Sequence, residues 1–168
     1  IVDAKTNKVL HAENEDALRH PASVTKVMTL YMLFEQLERG RYRLDSPLRV
    51  SAHAQSMAPS KLGVEAGETI AVEDAIKALV TKSANDVAAA VAENIGGSEE
   101  AFAEMMTRKA RQLGMTRTVY RNASGLPDAG QVTTARDLII LGRAIQDRFP
   151  RYYPYFALAG FSYGGAWH

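Results

Sequence analysis

From Val27 to Phe34 the chain is apolar at every position except Thr29. A helix with no polar stripe has to be enclosed on all sides, so this segment forms the centre of the fold and other elements must wrap it. The helical pattern runs from about Ser23 to Arg39, with Val24 and Leu37 extending the apolar set and Gly40 at the position where a left-handed residue stops a helix. With 168 residues, 46% of them hydrophobic, the chain has enough apolar side chains to build that enclosure as one globular domain.

At the opening of this helix stand Ser23 and Lys26, a hydroxyl and an amine one turn apart on one face. A serine at a helix N-terminus feels the positive end of the dipole, which favours a developing negative charge. A lysine taken out of water loses basicity and can accept the serine proton, so the pair has the makings of a Ser-Lys nucleophile. The structural alternative is a serine that merely caps the helix and a lysine that is a solvated first-turn charge. Against it stands the place of Lys26 at the start of the most apolar helix, where a charge without a partner is costly.

Charge and composition exclude several classes. Lys and Arg total 20 against 19 Asp and Glu, a net charge of +1 that gives no general attraction to nucleic acid. The absence of cysteine removes disulfides, thiol nucleophiles and Cys-based metal centres. The four histidines fall in no metal-ligand spacing and no glycine-rich phosphate loop occurs, so neither metal nor cofactor is expected. No run approaches the roughly 20 apolar residues of a spanning helix. Ile1-Val2-Asp3 lacks the features of a signal peptide, so any such peptide is expected to have been removed.

Residues 1 to 12 read as two extended runs around a turn at Lys5-Thr6-Asn7. Residues 43 to 71 are turn-rich and read as a surface excursion with short extended pieces such as Leu48-Arg49-Val50. Helices are predicted over about Val72 to Thr81 and Asp86 to Ile95, the second closed by Gly96-Gly97. Ser98 should cap a helix ended by Gly114, and Thr134 with Asp137 should open another over Leu138 to Phe149, stopped by Pro150. Asn122 to Gly130 is a loop, and Phe161 to His168 reads as a hairpin turning at Gly164-Gly165. A hairpin cut so soon after its turn suggests a truncated chain.

Ser83-Ala84-Asn85 lies in the break between two predicted helices, where a second hydroxyl can relay a proton and an amide can both donate to and accept from a substrate peptide. Ser83 or Asn85 can equally cap the following helix, and Lys82 and Asp86 read as flanking charges. Gly160-Phe161-Ser162-Tyr163-Gly164 matches a nucleophile-elbow pattern, but no helix, acid and histidine follow it, so Ser162 reads as a strand residue. Asn122-Ala123-Ser124 is a glycosylation sequon by pattern only.

The string His20-Pro21-Ala22-Ser23-Val24-Thr25-Lys26-Val27-Met28-Thr29, followed some sixty residues later by Lys82-Ser83-Ala84-Asn85-Asp86, closely resembles the low-molecular-mass penicillin-binding proteins of the D-alanyl-D-alanine carboxypeptidase type. Pro59-Ser60-Lys61-Leu62-Gly63, Asn122-Ala123-Ser124-Gly125-Leu126 and Thr133-Thr134-Ala135-Arg136-Asp137 carry the resemblance across essentially the whole chain. It implies a mixed α/β (α+β) fold of the β-lactamase/transpeptidase type, helices packed on an antiparallel sheet built from both chain ends and incomplete here. It implies a substrate, the peptidoglycan stem peptide ending in D-Ala-D-Ala, and acylation by β-lactam antibiotics. Ser23 would be the nucleophile and half of the oxyanion hole, Lys26 its general base, Ser83 a proton shuttle and Asn85 a holder of the substrate amide. The location implied is periplasmic or cell-surface, with a membrane anchor outside these residues.

The third motif of that family, K-T-G, occurs nowhere in the sequence. The expectation is therefore a fragment inactive alone, completed by a further C-terminal segment or a second chain. Two other readings stay open: a class A β-lactamase-like hydrolase, for which no E-x-x-L-N string is present, and a silent cell-wall-binding or penicillin-sensing domain, which need not keep Ser23 and Lys26.

Overall fold

The computed structural model describes all residues, Ile1–His168. Its centre is α1 (Thr25–Glu38), entered through a 3₁₀ turn at Ala22–Val24 and closed by Gly40 in the left-handed region. Met28, Leu30, Tyr31, Leu33 and Phe34 are all fully buried, as an all-round apolar helix requires. After it come β1 (Pro47–Arg49), α2 (Ala52–Ser56), β2 (Thr69–Ala71), α3 (Val72–Thr81), α4 (Asn85–Gly96), α5 (Glu99–Leu113) and α6 (Ala135–Arg148). A 3₁₀ turn at Tyr153–Ala157 leads to the closing hairpin β3 (Ser162–Tyr163) and β4 (Ala166–Trp167). One cluster of 36 buried hydrophobic residues reaches from Met28 to Phe161.

The predicted helices are present, and their ends follow local chemistry. Ser98 accepts from the Ala101 N–H at 3.1 Å and Thr134 from the Asp137 N–H at 3.1 Å, the two side-chain caps read from the sequence. The sixth helix nevertheless starts three residues before Leu138, directly after its cap. The cap position of α4 is Ala84, with no side-chain bond, so neither Ser83 nor Asn85 serves as the cap.

Residues 43 to 71 correct the surface reading. Leu48, Val50, Ala54, Leu62, Val64 and Ile70 are buried in the main core. Strands β1 and β2 pair antiparallel with Leu48 opposite Ile70. The extended piece read at Leu48-Arg49-Val50 overlaps β1, whereas its burial and its pairing with β2 are not visible in strands of three residues.

The sheet material consists of separate antiparallel ribbons. The first residues form a ribbon through the Val2–Val9 bridge, and β3 and β4 pair across Gly164-Gly165, both with positive φ. Phe161 and His168 exchange both backbone hydrogen bonds at 2.9 Å, and His168 Nδ1 lies 2.9 Å from Lys82 Nζ, which seats this hairpin beside the start of α4. No helix is long and apolar enough to cross a membrane.

Three helices meet on one buried carboxylate. Glu35 of α1, 1% exposed, receives Lys109 of α5 at 2.8 Å and Arg148 of α6 at 2.9 Å, with Arg39 at 3.7 Å. Arg148 also donates to the Tyr31 hydroxyl at 3.0 Å, and Phe149 packs edge-on against Tyr31 with ring centroids 5.0 Å apart. Neutralising this node leaves a mostly buried ammonium without its counter-charge, so Glu35→Gln should lower stability by about 3 kcal/mol. Urea unfolding checks it: the midpoint should fall with the slope unchanged.

Candidate active site

The backbone before Ser23 is fixed from several directions. Arg19 and Thr133 exchange both backbone hydrogen bonds, at 2.9 and 2.8 Å, and His20 Nδ1 lies 2.9 Å from the Gln131 carbonyl oxygen. Ala22 then adopts φ of +48°, a left-handed conformation that is unusual for alanine and turns the chain sharply into the helical run. Ser23 emerges exposed in that first turn, where backbone N–H groups have no intrahelical acceptor and the dipole is positive. Gly125 lies directly against this turn: a Cβ built on it would sit 1.9 Å from the Ala22 carbonyl oxygen, and its φ is +88°. No residue but glycine fits there.

Lys26, only 3% exposed, points its amine between two neutral oxygens. It donates to Asn85 Oδ1 at 2.7 Å and to the Ser124 carbonyl at 2.5 Å, partners 59 and 98 residues away in sequence. Burial lowers its pKa from the ordinary 10.5 to about 8. A neutral lysine amine has two N–H donors and one lone pair. With both donors taken by these acceptors, one lone pair remains, and Ser23 lies three residues back, one helical turn away.

Asn85 and Ser83 come from the break between α3 and α4. Ser83 is half-buried with φ of +54°, a second non-glycine residue in the left-handed region, and it bends the chain so that α4 starts at Asn85. The Asn85 amide is engaged at both ends, its Oδ1 by Lys26 and its Nδ2 donating to the Ala58 carbonyl at 2.8 Å. The segment Ala58–Val64 wraps this break. Ser60 accepts the Asn85 backbone N–H at 2.7 Å and its hydroxyl donates to the Lys82 carbonyl at 3.0 Å.

Asp86 overturns its reading as a flanking charge. It is 0% exposed and accepts the N–H groups of Leu62, Gly63 and Val64 at 3.0, 2.8 and 3.3 Å, together with that of Val87 at 2.9 Å. A carboxylate in the first turn of a helix is favoured by the dipole, and four backbone donors replace the water it has lost.

The loop that supplies the Ser124 carbonyl is equally constrained. Ala123 donates its N–H to Glu99 Oε1 at 3.0 Å and accepts the Thr29 hydroxyl at 2.7 Å. Asn122 Oδ1 receives the Gly125 N–H at 2.7 Å and Gln131 Nε2 at 3.1 Å, while its own Nδ2 donates to Leu126. Asn122 is thus a structural residue of the loop, with its side-chain amide bonded at both ends.

The structure therefore places Ser23 and Lys26 at the opening of α1 and Ser83 and Asn85 at the start of α4, and it joins the two helix starts through the Lys26–Asn85 hydrogen bond. The backbone carbonyls of Ser124 and Ala58 and the carboxylate of Asp86 belong to the same arrangement. The strings that hold Ser124 and Asp86 carry the resemblance, Ala58 lies just before one of them, and a carbonyl has no side-chain signature by which its part can be read. Ser162 lies in β3, as its sequence context predicts. No group of three or more His, Asp or Glu side chains is placed to share a metal ion. A cavity of about 520 Å³ lined by Val2, Val9, Ile139 and Ile140 among others includes none of these residues.

A family described as D-alanyl-D-alanine carboxypeptidase matches residues 1–157. The D-alanyl-D-alanine carboxypeptidase DacF of Bacillus subtilis is 36% identical over 145 residues, covering 86% of this chain and 37% of that protein. The crystal structure of the D-alanyl-D-alanine carboxypeptidase DacD from Francisella tularensis superposes with a TM-score of 0.95 at 34% identity, over 98% of this chain and 40% of the other. Penicillin binding protein 5 from Haemophilus influenzae gives a TM-score of 0.94 at 28% identity, over 99% and 49%. The chain spans about two fifths of the length of the curated relatives it matches.

Two outcomes are expected from this geometry. Lys26 should titrate near pH 8 by NMR of lysine-labelled protein, and it should bind fewer protons than the unfolded chain between pH 8 and 10.5. Stability of the native protein relative to Lys26→Met should therefore rise across that window, by at most about 1.4 kcal/mol per pH unit, and stay level below it. Gly125→Ala should displace the Ala22–Ser23 turn, seen as altered amide shifts at Ser23 and Val24.

Proposed function

This chain belongs to the D-alanyl-D-alanine carboxypeptidase family, and from that premise we propose that Ser23 and Lys26 are nucleophile and base of a serine peptidase acting on peptidoglycan stem peptides that end in D-Ala-D-Ala. The observation that carries this reading is the amine of Lys26, buried and held at both N–H groups by Asn85 and Ser124 one helical turn from the Ser23 hydroxyl.

In the proposed reaction, Lys26 in its neutral form takes the Ser23 proton as Oγ attacks the carbonyl carbon of the penultimate D-alanine. The oxyanion forms against the Ser23 N–H at the positive end of the helix. The proton passes from Lys26, with Ser83 as relay, to the nitrogen of the terminal D-alanine, the C–N bond breaks and D-alanine leaves. Water, deprotonated by Lys26, then attacks the ester and restores Ser23. Asn85 fixes the lysine and borders the position of the substrate backbone.

A second oxyanion donor and the groups that bind the substrate carboxylate are assigned to a K-T-G strand supplied by a further segment or a second chain. Losing one such donor costs about 100- to 1000-fold in rate, so the 168 residues alone should be inactive or nearly so. A β-lactam places its strained carbonyl where the substrate carbonyl sits and should acylate Ser23. Peptidoglycan lies outside the cytoplasmic membrane, and the proposed site of action is there.

The test is mass spectrometry of the protein as its own gene expresses it, with and without a penicillin. The expected result is a gain of one whole antibiotic molecule on the peptide that contains Ser23. Ser23→Ala should abolish the adduct, and Lys26→Met should slow its formation by about 10²–10⁴-fold. For the wild type, the rate should rise with pH and level off above about 8, as Lys26 loses its proton. A folded wild-type protein with no adduct would replace this reading by the silent cell-wall-binding domain.

A further inference from the structure

The proposal concerns Asp86, and it rests on the functional reading of Lys26 as the base. Asn85 serves Lys26 only if its amide presents oxygen, not nitrogen, to the lysine. The choice is made on the far side of the amide: the Ala58 carbonyl can only accept, so it draws Nδ2 to itself at 2.8 Å and leaves Oδ1 for Lys26. Ala58 in turn sits on a segment that has no helix or strand of its own between Ser56 and Thr69. That segment is tied down at one end by Asp86, which gathers the N–H groups of Leu62, Gly63 and Val64, and in the middle by Ser60 on Lys82 and Asn85.

We propose that Asp86 is a positioning residue for the reaction: by holding the Leu62–Val64 backbone against the start of α4, it keeps the Ala58 carbonyl on Asn85 and so locks the amide oxygen toward Lys26. Asp86 is fully buried and accepts four backbone N–H groups, three of them on the segment that carries Ala58. Its place directly after Asn85 makes loop and amide one unit.

Asp86→Asn tests this, because an amide nitrogen cannot accept the Gly63 and Val64 N–H groups. Asn85 Oδ1 stabilises the ammonium form of Lys26 more than the neutral amine, so loss of its orientation should move the lysine titration below about 8. Amide exchange at Leu62, Gly63 and Val64 should accelerate in the same variant. Glu35→Gln removes another buried carboxylate, on the helix that carries Lys26, and serves as the control. It should lower stability and leave the Lys26 titration in place. Ser60→Ala lies on the exposed side of the loop and should reproduce the shift in smaller measure, so it decides the matter if Asp86→Asn does not fold.

A folded Asp86→Asn protein whose Lys26 titrates at or above the wild-type value overturns the proposal, as does a Glu35→Gln shift of equal size. The penicillin adduct on the wild type is read separately. Its absence would refute the function, while the titrations would still decide whether Asp86 orients Asn85. Where the adduct forms, Asp86→Asn should slow acylation by about 100-fold.

Discussion

An amine taken out of water must find acceptors, and the acceptors chosen for Lys26 hold the rest of the site in place. Asn85 and Ser124 reach it from segments 59 and 98 residues away, so the one buried lysine ties together the opening of α1, the start of α4 and the loop before α6. Both partners are neutral. A carboxylate in either place would hold the proton on the lysine through the physiological range, whereas two neutral acceptors leave burial to bring its pKa to about 8. The arrangement leaves an amine that loses its proton at about pH 8 and, once neutral, has both N–H groups taken by Asn85 and Ser124 and one lone pair over.

Around this node, precision comes from backbone in uncommon conformations. Ala22 and Ser83 have positive φ although neither is glycine, and they flank the two helix starts that carry the four side chains of the site. Such conformations persist where surrounding contacts dictate them. Here Gly125 presses on Ala22, Ser60 holds the residues around Ser83, and Asp86 holds the segment that includes Ser60. The same design recurs farther along, where Asp137, itself buried, accepts the Arg117 N–H at 2.9 Å and the Thr118 hydroxyl at 2.6 Å. Ion pairs hold another loop, where Arg136 reaches Glu15 at 3.1 Å and Asp16 at 2.8 Å.

Ser23 and Lys26 are legible in the sequence because a three-residue spacing at the head of an apolar helix is a local pattern with a local meaning. Most helices are legible for the same reason, through caps at Ser98 and Thr134 and stops at Gly40 and Gly114. What cannot be read locally is what the tertiary fold decides. Asp86 looks like any charge beside a motif until the donors 22 to 24 residues before it arrive. The parts of Ser124 and Ala58 belong to their carbonyls, which every residue has. The three-residue strands β1 and β2 each bury only their central residue, Leu48 and Ile70, and one buried position is too little alternation to read from sequence.

The central claim is that the Ser23 hydroxyl and the Lys26 amine act as one unit on a carbonyl. The most direct measurement is a crystal structure of the protein bound to a boronic acid analogue of D-alanine, whose boron accepts a serine oxygen and becomes tetrahedral like the reacting carbon. The account predicts a bond from boron to Ser23 Oγ, with Lys26 Nζ in hydrogen-bonding distance of that oxygen and still donating to Asn85 and Ser124. A boronate attached to another residue, or a Lys26 turned away from a bonded Ser23, would contradict it.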